Sequence, residues 1–186
     1  VLEADPHVVG HINGGPTSMS EKEIDSLVAT QMALEIVHCG NGKTALHSLQ
    51  RAKDAKALPR IIIGNDAPSG TGVVPLGILR VIAHLTSLGG ASPEEAICMA
   101  TGNTARVYSL PVGVIAPGKE ADLCIVDAPT GSVGKTALDA LKAGDLFGIS
   151  MIFIDGQIKI GRSRNTPPAA RAAEVVKGHG PAGGGH

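Results

Sequence analysis

Aromatic side chains are nearly absent from this sequence. Tyr108, Phe147 and Phe153 make up 2% of the chain, and there is no tryptophan. Single-strand nucleic-acid binders stack bases on aromatic platforms, so this composition argues against one. Valine, isoleucine, leucine and alanine must build the core instead. An excess of one charge is missing too: 16 Lys and Arg stand against 17 Asp and Glu, for a net charge of −1. That balance suits neither a basic nucleic-acid partner nor an acidic tail. No apolar run reaches the roughly 18 residues of a membrane span. No signal-peptide pattern opens the chain, so neither membrane insertion nor secretion is expected. Only three cysteines occur, Cys39, Cys98 and Cys124, with no CxxC among them. Each has apolar neighbours, and the expectation is buried free thiols in a reducing cytoplasm. The 186 residues, 43% hydrophobic, suffice for a sizeable core and one or two domains.

Common catalytic signatures are lacking as well. There is no HExxH, no GxSxG, and no GxGxxG after a predicted strand. Gly42-Lys43-Thr44 and Gly134-Lys135-Thr136 imitate the end of a phosphate loop. The glycine required five residues earlier is Val37 in one case and Pro129 in the other, so neither is a Walker motif.

What is present is an alternation. "PHVVGH" (Pro6–His11) reads as a short buried strand, and a Gly/Pro loop follows. Ser20-Glu21-Lys22-Glu23 is a capping box that opens a helix to about Ala33. "LEIVHC" (Leu34–Cys39) is a second strand with its own Gly-rich loop, then a helix from about Thr44 to Lys56. "RIIIGN" is the third strand, with a helix over roughly Val73–Leu88. Three strand–loop–helix units in a row predict right-handed crossovers and a parallel sheet buried on both faces. Two short helices follow, the first opened by Ser92-Pro93-Glu94-Glu95. After Pro111 the texture changes. "GVIAPGKEADLCIVD" predicts short strands split by a Pro-Gly turn, and "ISMIFIDGQIKIGR" a hairpin around Asp155-Gly156. The Pro/Gly-rich end reads as peripheral, with a possible helical turn in its middle. The chain starts at "VLEADPHVV" without an initiator Met and enters a strand pattern at once, as the continuation of a longer chain would.

Parallel β/α folds carry their chemistry at the carboxyl ends of strands. Here three successive strands end in His11, His38 and Asp66, near one rim. Imidazole and carboxylate together suit Zn²⁺ or Fe²⁺. The plainer readings are an N-cap or turn residue for Asp66 and a hydrogen-bonded core residue for His11. His38, between apolar and thiol neighbours, reads as structure or pocket lining. His7 falls on the same strand face as His11 but about 13 Å away, too far to share a metal.

"HINGG", "GNDAPSG", "MATGNTARVYSLPVGVIAPGKEADLCIVD" and "IFIDGQIKIGRSRNTPP" together resemble the C-terminal half of the amidohydrolase superfamily of metal-dependent hydrolases. The resemblance runs to about Pro168. It implies an α/β fold: strands six to eight of a (β/α)8 TIM barrel over residues 1–110, small β-sandwich strands over 111–164, and a Pro/Gly-rich tail over 165–186. It implies a divalent metal centre, binuclear with Zn and/or Fe, with His11 as the strand-six ligand. Asp66 becomes the strand-eight aspartate, which binds metal and takes a proton from the activated water. It implies hydrolysis of a C–N bond in a cyclic amide or enamide, such as 6-oxo-tetrahydronicotinate, opened with release of ammonia. For a substrate bearing a carboxylate, Lys43 or the backbone near Asn41 at a helix start could bind the anion. Ser69 could line the pocket. For Lys43 a solvated place in the first helical turn is the more ordinary reading.

The family also uses an HxH pair on strand one, a carboxylate or modified lysine on strand four and a histidine on strand five. None can be placed in this sequence. The implied partners are therefore the N-terminal half of the same enzyme, a small-molecule substrate, and further copies in a cytoplasmic homo-oligomer. The residues present do not separate an opener of cyclic enamides from members of the dihydroorotase, hydantoinase, imidazolonepropionase or deaminase type. A non-catalytic assembly or binding fragment of the same fold is the remaining alternative.

Overall fold

The computed structural model describes residues 1–14, 18–68 and 72–176. Its first sheet is parallel, in the order β1 (Val8–Val9), β2 (Ala33–Val37), β3 (Ile61–Gly64). The register pairs Val8 with Ala33, and Leu34 to Val37 with Ile61 to Gly64. Alternation along these strands sends Leu34, Ile36, Ile61 and Ile63 into the main core. There they meet α1 (Glu21–Val28), α2 (Gly42–Asp54) and α3 (Gly77–Ser87) through Ile24, Leu49 and Leu85, all fully buried. Ala33 and Ile62 face the other way and pack with Val107 at the end of α5 (Gly102–Val107). The helix face of the sheet is thus apolar, as predicted, while the opposite face carries Glu35 among apolar residues.

Both predicted capping boxes form. Ser20 and Glu23 cap α1, and Ser92 and Glu95 cap α4 (Pro93–Ala100). Helix ends shift where side chains compete for the backbone. α1 stops at Val28, short of the predicted Ala33. Thr30 donates to the Leu27 carbonyl and accepts from Met32 N, while Arg60 binds the carbonyls of Val28 and Met32. Ala33 is thereby released into β2. α2 begins two residues early because Asn41 caps it, its side chain accepting from Thr44 N at 3.0 Å. α3 begins at Gly77, not Val73: Pro75 disfavours helix before it, and Leu76 has φ 60°.

The second sheet is antiparallel, β4 (Leu123–Asp127), β5 (Gly148–Ile154) and β6 (Gln157–Ile160). Asp155 (φ 52°) and Gly156 (φ 70°) make the expected two-residue hairpin turn, which requires positive φ at both positions. No strand forms over residues 113–122, where Gly113 (φ 84°), Pro117 and Gly118 (φ 81°) break the extended pattern that the sequence suggested. A helix that the sequence analysis did not predict, α6 (Ala137–Ala143), connects β4 to β5. The "GKT" decoy turns out to be its start: Thr136 accepts from Asp139 N, and Gly144 (φ 90°) ends it. The expected burial of the thiols does not hold: Cys98 and Cys124 are exposed and Cys39 is half-buried.

Residues 165–176 form no helical turn. They fold back, with Ala169 bridging Pro129 and Arg171 binding Asp127, the buried last residue of β4. The Arg171 guanidinium grips both carboxylate oxygens, at 2.8 and 2.6 Å, and its backbone N–H adds a third bond at 3.0 Å. These bonds, the Arg171 side chain foremost, hold the Asp127 carboxyl well below the usual carboxylate range. A depressed folded-state pKa stabilises above the unfolded value of about 4, and the benefit fades as pH falls below it. D127N is therefore expected to lower the urea midpoint at pH 7 and to narrow the gap to wild type at pH 3. An equal difference at both pH values would refute the ionic contribution.

Candidate functional site

The carboxyl ends of β1 and β3 carry the two residues singled out by position. His11 Nε2 lies 2.7 Å from Asp66 Oδ2, although 55 positions separate them in sequence. Both side chains are about 40% exposed. Each residue leaves its strand in the left-handed region, His11 at φ 61° and Asp66 at φ 53°. That conformation costs non-glycine residues roughly 1–3 kcal/mol and clusters at functional sites. Here it turns the imidazole and the carboxylate toward each other across the rim. Asp66 is thus a charge at the tip of a rigid apolar strand, within reach of the first strand's histidine.

The loop holding His11 is fixed by Asn13, a residue the sequence reading passed over. Asn13 is 1% exposed. Its Nδ2 donates to the Val37 carbonyl at 3.0 Å, and its Oδ1 accepts from Val37 N–H at 2.8 Å. The side chain therefore extends the ladder of β2 like an extra strand residue. Gly40 must be glycine for this to fit, because a Cβ there would fall 2.2 Å from the Asn13 carbonyl oxygen. On the far side, Asn65 packs against Gly77, where a Cβ would fall 1.7 Å from Asn65 Oδ1. That oxygen is buried with no partner among the described residues. The signal for both asparagines was present, since each stands beside its site residue in a quoted motif. It was hidden because a buried asparagine looks like any loop asparagine.

Glu35 was also passed over. It shares a face of the parallel sheet with Ile62, with Gly10 on one side and Gly64 on the other. A Cβ at Gly64 would meet its carboxylate at 2.4 Å. The flanking glycines make room for a carboxylate one layer below the rim.

The remaining predicted positions are spread out. Asn41 caps α2. Lys43 sits solvent-exposed in the first turn of α2. Ser69 lies outside the described residues. His38 is half-buried on the helix side of β2, and burial, with Arg80 and His84 nearby, pushes its pKa down. His7 bonds the Val107 carbonyl at 2.7 Å, at the opposite end from the rim.

An imidazole nitrogen and a carboxylate oxygen are the donor set that Zn²⁺ and Fe²⁺ accept. Among the described residues, no group of three or more His, Cys, Asp or Glu gathers to hold a metal. His11 and Asp66 fit such an ion as two of its ligands, and further ligands must come from beyond these residues. No helix among the described residues is long and apolar enough to cross a membrane.

Residues 16–159 match the Amidohydrolase family. The enamidase of Eubacterium barkeri is 54% identical over 177 residues, 95% of this chain and 46% of that protein. A segment of 42 residues is 55% identical to an adenine deaminase of Methanoregula boonei. The crystal structure of enamidase superposes with a TM-score of 0.92, covering 95% of this chain and 46% of the other. A β-aspartyl dipeptidase from Fervidobacterium islandicum, 16% identical, shares the fold at a TM-score of 0.58. The chain spans less than half the length of the curated relatives it matches. With 144 of its residues inside the family match, the chain belongs to the amidohydrolase family.

Proposed function

We propose that this chain is the C-terminal part of a metal-dependent hydrolase that opens a cyclic amide or enamide, with 6-oxo-tetrahydronicotinate as substrate and ammonia released. The observation that carries the reading is the 2.7 Å contact between His11 and Asp66. It joins the tips of the first and third strands in a chain 54% identical to an enamidase. In this reading β1 to β3 are strands six to eight of a (β/α)8 barrel, which needs eight strands to close. Glu35 in its glycine surround then faces the barrel interior. Residues 111–164 supply β-sandwich strands, and 165–186 a tail.

His11 and Asp66 would hold one of two divalent ions, Zn or Fe, with ligands from the rest of the polypeptide. When bound, the metal makes a water acidic at neutral pH and polarises the amide carbonyl. Asp66 accepts the proton of that water as its oxygen adds to the carbonyl carbon. It returns the proton to the ring nitrogen as the C–N bond breaks. The nitrogen then sits on an enamine carbon, whose hydrolysis releases ammonia. His11 holds Oδ2 of Asp66 in place and keeps the carboxylate aimed at the rim. Lys43 or the backbone near Asn41 is the candidate for contact with the substrate carboxylate, and Ser69 for lining the pocket. The exposed Ile115, Val133, Ile154, Ile158 and Ile160 supply apolar surface that the missing half or a further copy in a homo-oligomer would cover.

The full-length protein is expected to purify with one to two Zn or Fe per subunit and to release ammonia from the cyclic enamide. Chelation should abolish turnover, and added metal should restore it. The match to adenine deaminase supports a second reading, a deaminase-type member of the family, which would act on a purine and leave the enamide untouched. A metal-free protein inactive on both substrates would overturn the hydrolase reading.

A further inference from the structure

Behind the strand tips, on the helix side of β2, lies a cavity of about 280 Å³ between the first turn of α2 and the middle of α3. His38, Arg80 and His84 converge on it, together with Gly40, Gly42 and Asn13. No acidic residue among the described residues lines it. The Arg80 guanidinium makes one hydrogen bond, from Nε to the Pro75 carbonyl at 3.3 Å, and no ion pair among the described residues. His84 Nε2 reaches the Gly42 carbonyl at 3.2 Å. His38 Nδ1 is shut off from solvent with no partner among the described residues. The first turn of α2 adds amide donors that no helical carbonyl can satisfy, and Gly42 presents no side chain to cover them.

Burial first, and then the charges of Arg80 and His84, push the pKa of His38 down, as expected where cation-forming groups share a cavity with no described carboxylate beside them. Beyond the His84 contact to Gly42 and the Arg80 contact to Pro75, the cavity is faced by the Arg80 guanidinium, His38 Nδ1 and the Gly42 and Lys43 amides, and the complement to such a set is an oxyanion. We propose that this cavity binds a small oxyanion, a phosphate or a carboxylate, clasped by Arg80 and His84 over the first turn of α2 and closed from behind by His38. Arg80 contributes the planar fork that suits either group. The helix adds its positive end. The cavity lies on the helix side of the sheet, away from the face carrying Glu35, so the proposal does not rest on the hydrolase reading.

The test is calorimetric titration of the full-length protein at low ionic strength with inorganic phosphate, then with acetate and succinate. Saturable phosphate binding, weakened at least about tenfold in both R80Q and H84N, is the expected result. R80K, which keeps the charge but loses the fork, should fall between wild type and R80Q. Saturable binding of a carboxylate but not phosphate, lost in the same variants, supports the site and assigns its ligand. Binding unchanged in R80Q and H84N, or no saturable binding of any of the three anions, overturns the proposal. Thermal melts without anion show whether each variant is folded.

Discussion

With Asp66 as the general base proposed above, Asp66→Asn in the full-length protein is expected to lower kcat by about 10²–10⁴-fold, the usual contribution of one such group. Asparagine has nearly the size of aspartate, and its Oδ1 can still accept from His11 Nε2 across the 2.7 Å contact. What it loses is basicity and the negative charge that a cation requires. Position 66 stands at the rim with its side chain 40% exposed, so the substitution removes no core contact. The thermal midpoint should stay within a degree or two of wild type while turnover collapses and metal content falls. A variant retaining more than a tenth of wild-type kcat would remove Asp66 from the chemistry. His11→Asn separates positioning from proton transfer. It should weaken metal retention as well, yet leave the carboxylate and part of the activity.

Asn13→Ala acts through the backbone. The Asn13 side chain satisfies both the N–H and the C=O of Val37, which is itself 3% exposed. Truncation leaves two buried polar groups unpaired, each costing about 1–3 kcal/mol, so a loss of about 2–6 kcal/mol is expected. Asn13→Asp is no rescue. It keeps the acceptor for Val37 N–H but sets a second oxygen against the Val37 carbonyl and buries a charge. Both variants should also lose activity, because the loop they loosen carries His11 at an unfavourable φ. Chemical denaturation of both variants beside wild type is the measurement. A change below about 0.5 kcal/mol for alanine would mean that water replaces the side chain.

The parts of this fold legible in the sequence are those set by local physics. Continuous apolar runs gave three parallel strands, the two Ser-x-x-Glu boxes gave α1 and α4, and Asp155-Gly156 gave a hairpin. What escaped was decided by groups distant in sequence. Arg60 ends α1 from 32 residues away. α6 was missed because its start resembles a failed phosphate loop, and its apolar face, Ala137, Ala140 and Leu141, is short. The site divides the same way. His11 and Asp66 were visible as polar residues ending apolar strands. Asn13, Asn65 and Glu35 were not, because their importance comes from what a neighbouring strand or glycine leaves open to them.

Ala137, Leu141 and Phe147 lie in the same hydrophobic cluster as Ile36, Ile63 and Leu85. The connection between β4 and β5 is thereby stitched into the layer that backs the parallel sheet, chiefly through α6 against α3. The antiparallel sheet is consequently not a detachable cassette. Exchanging it for another sheet would strip the backing from the helices beneath the rim that carries His11 and Asp66.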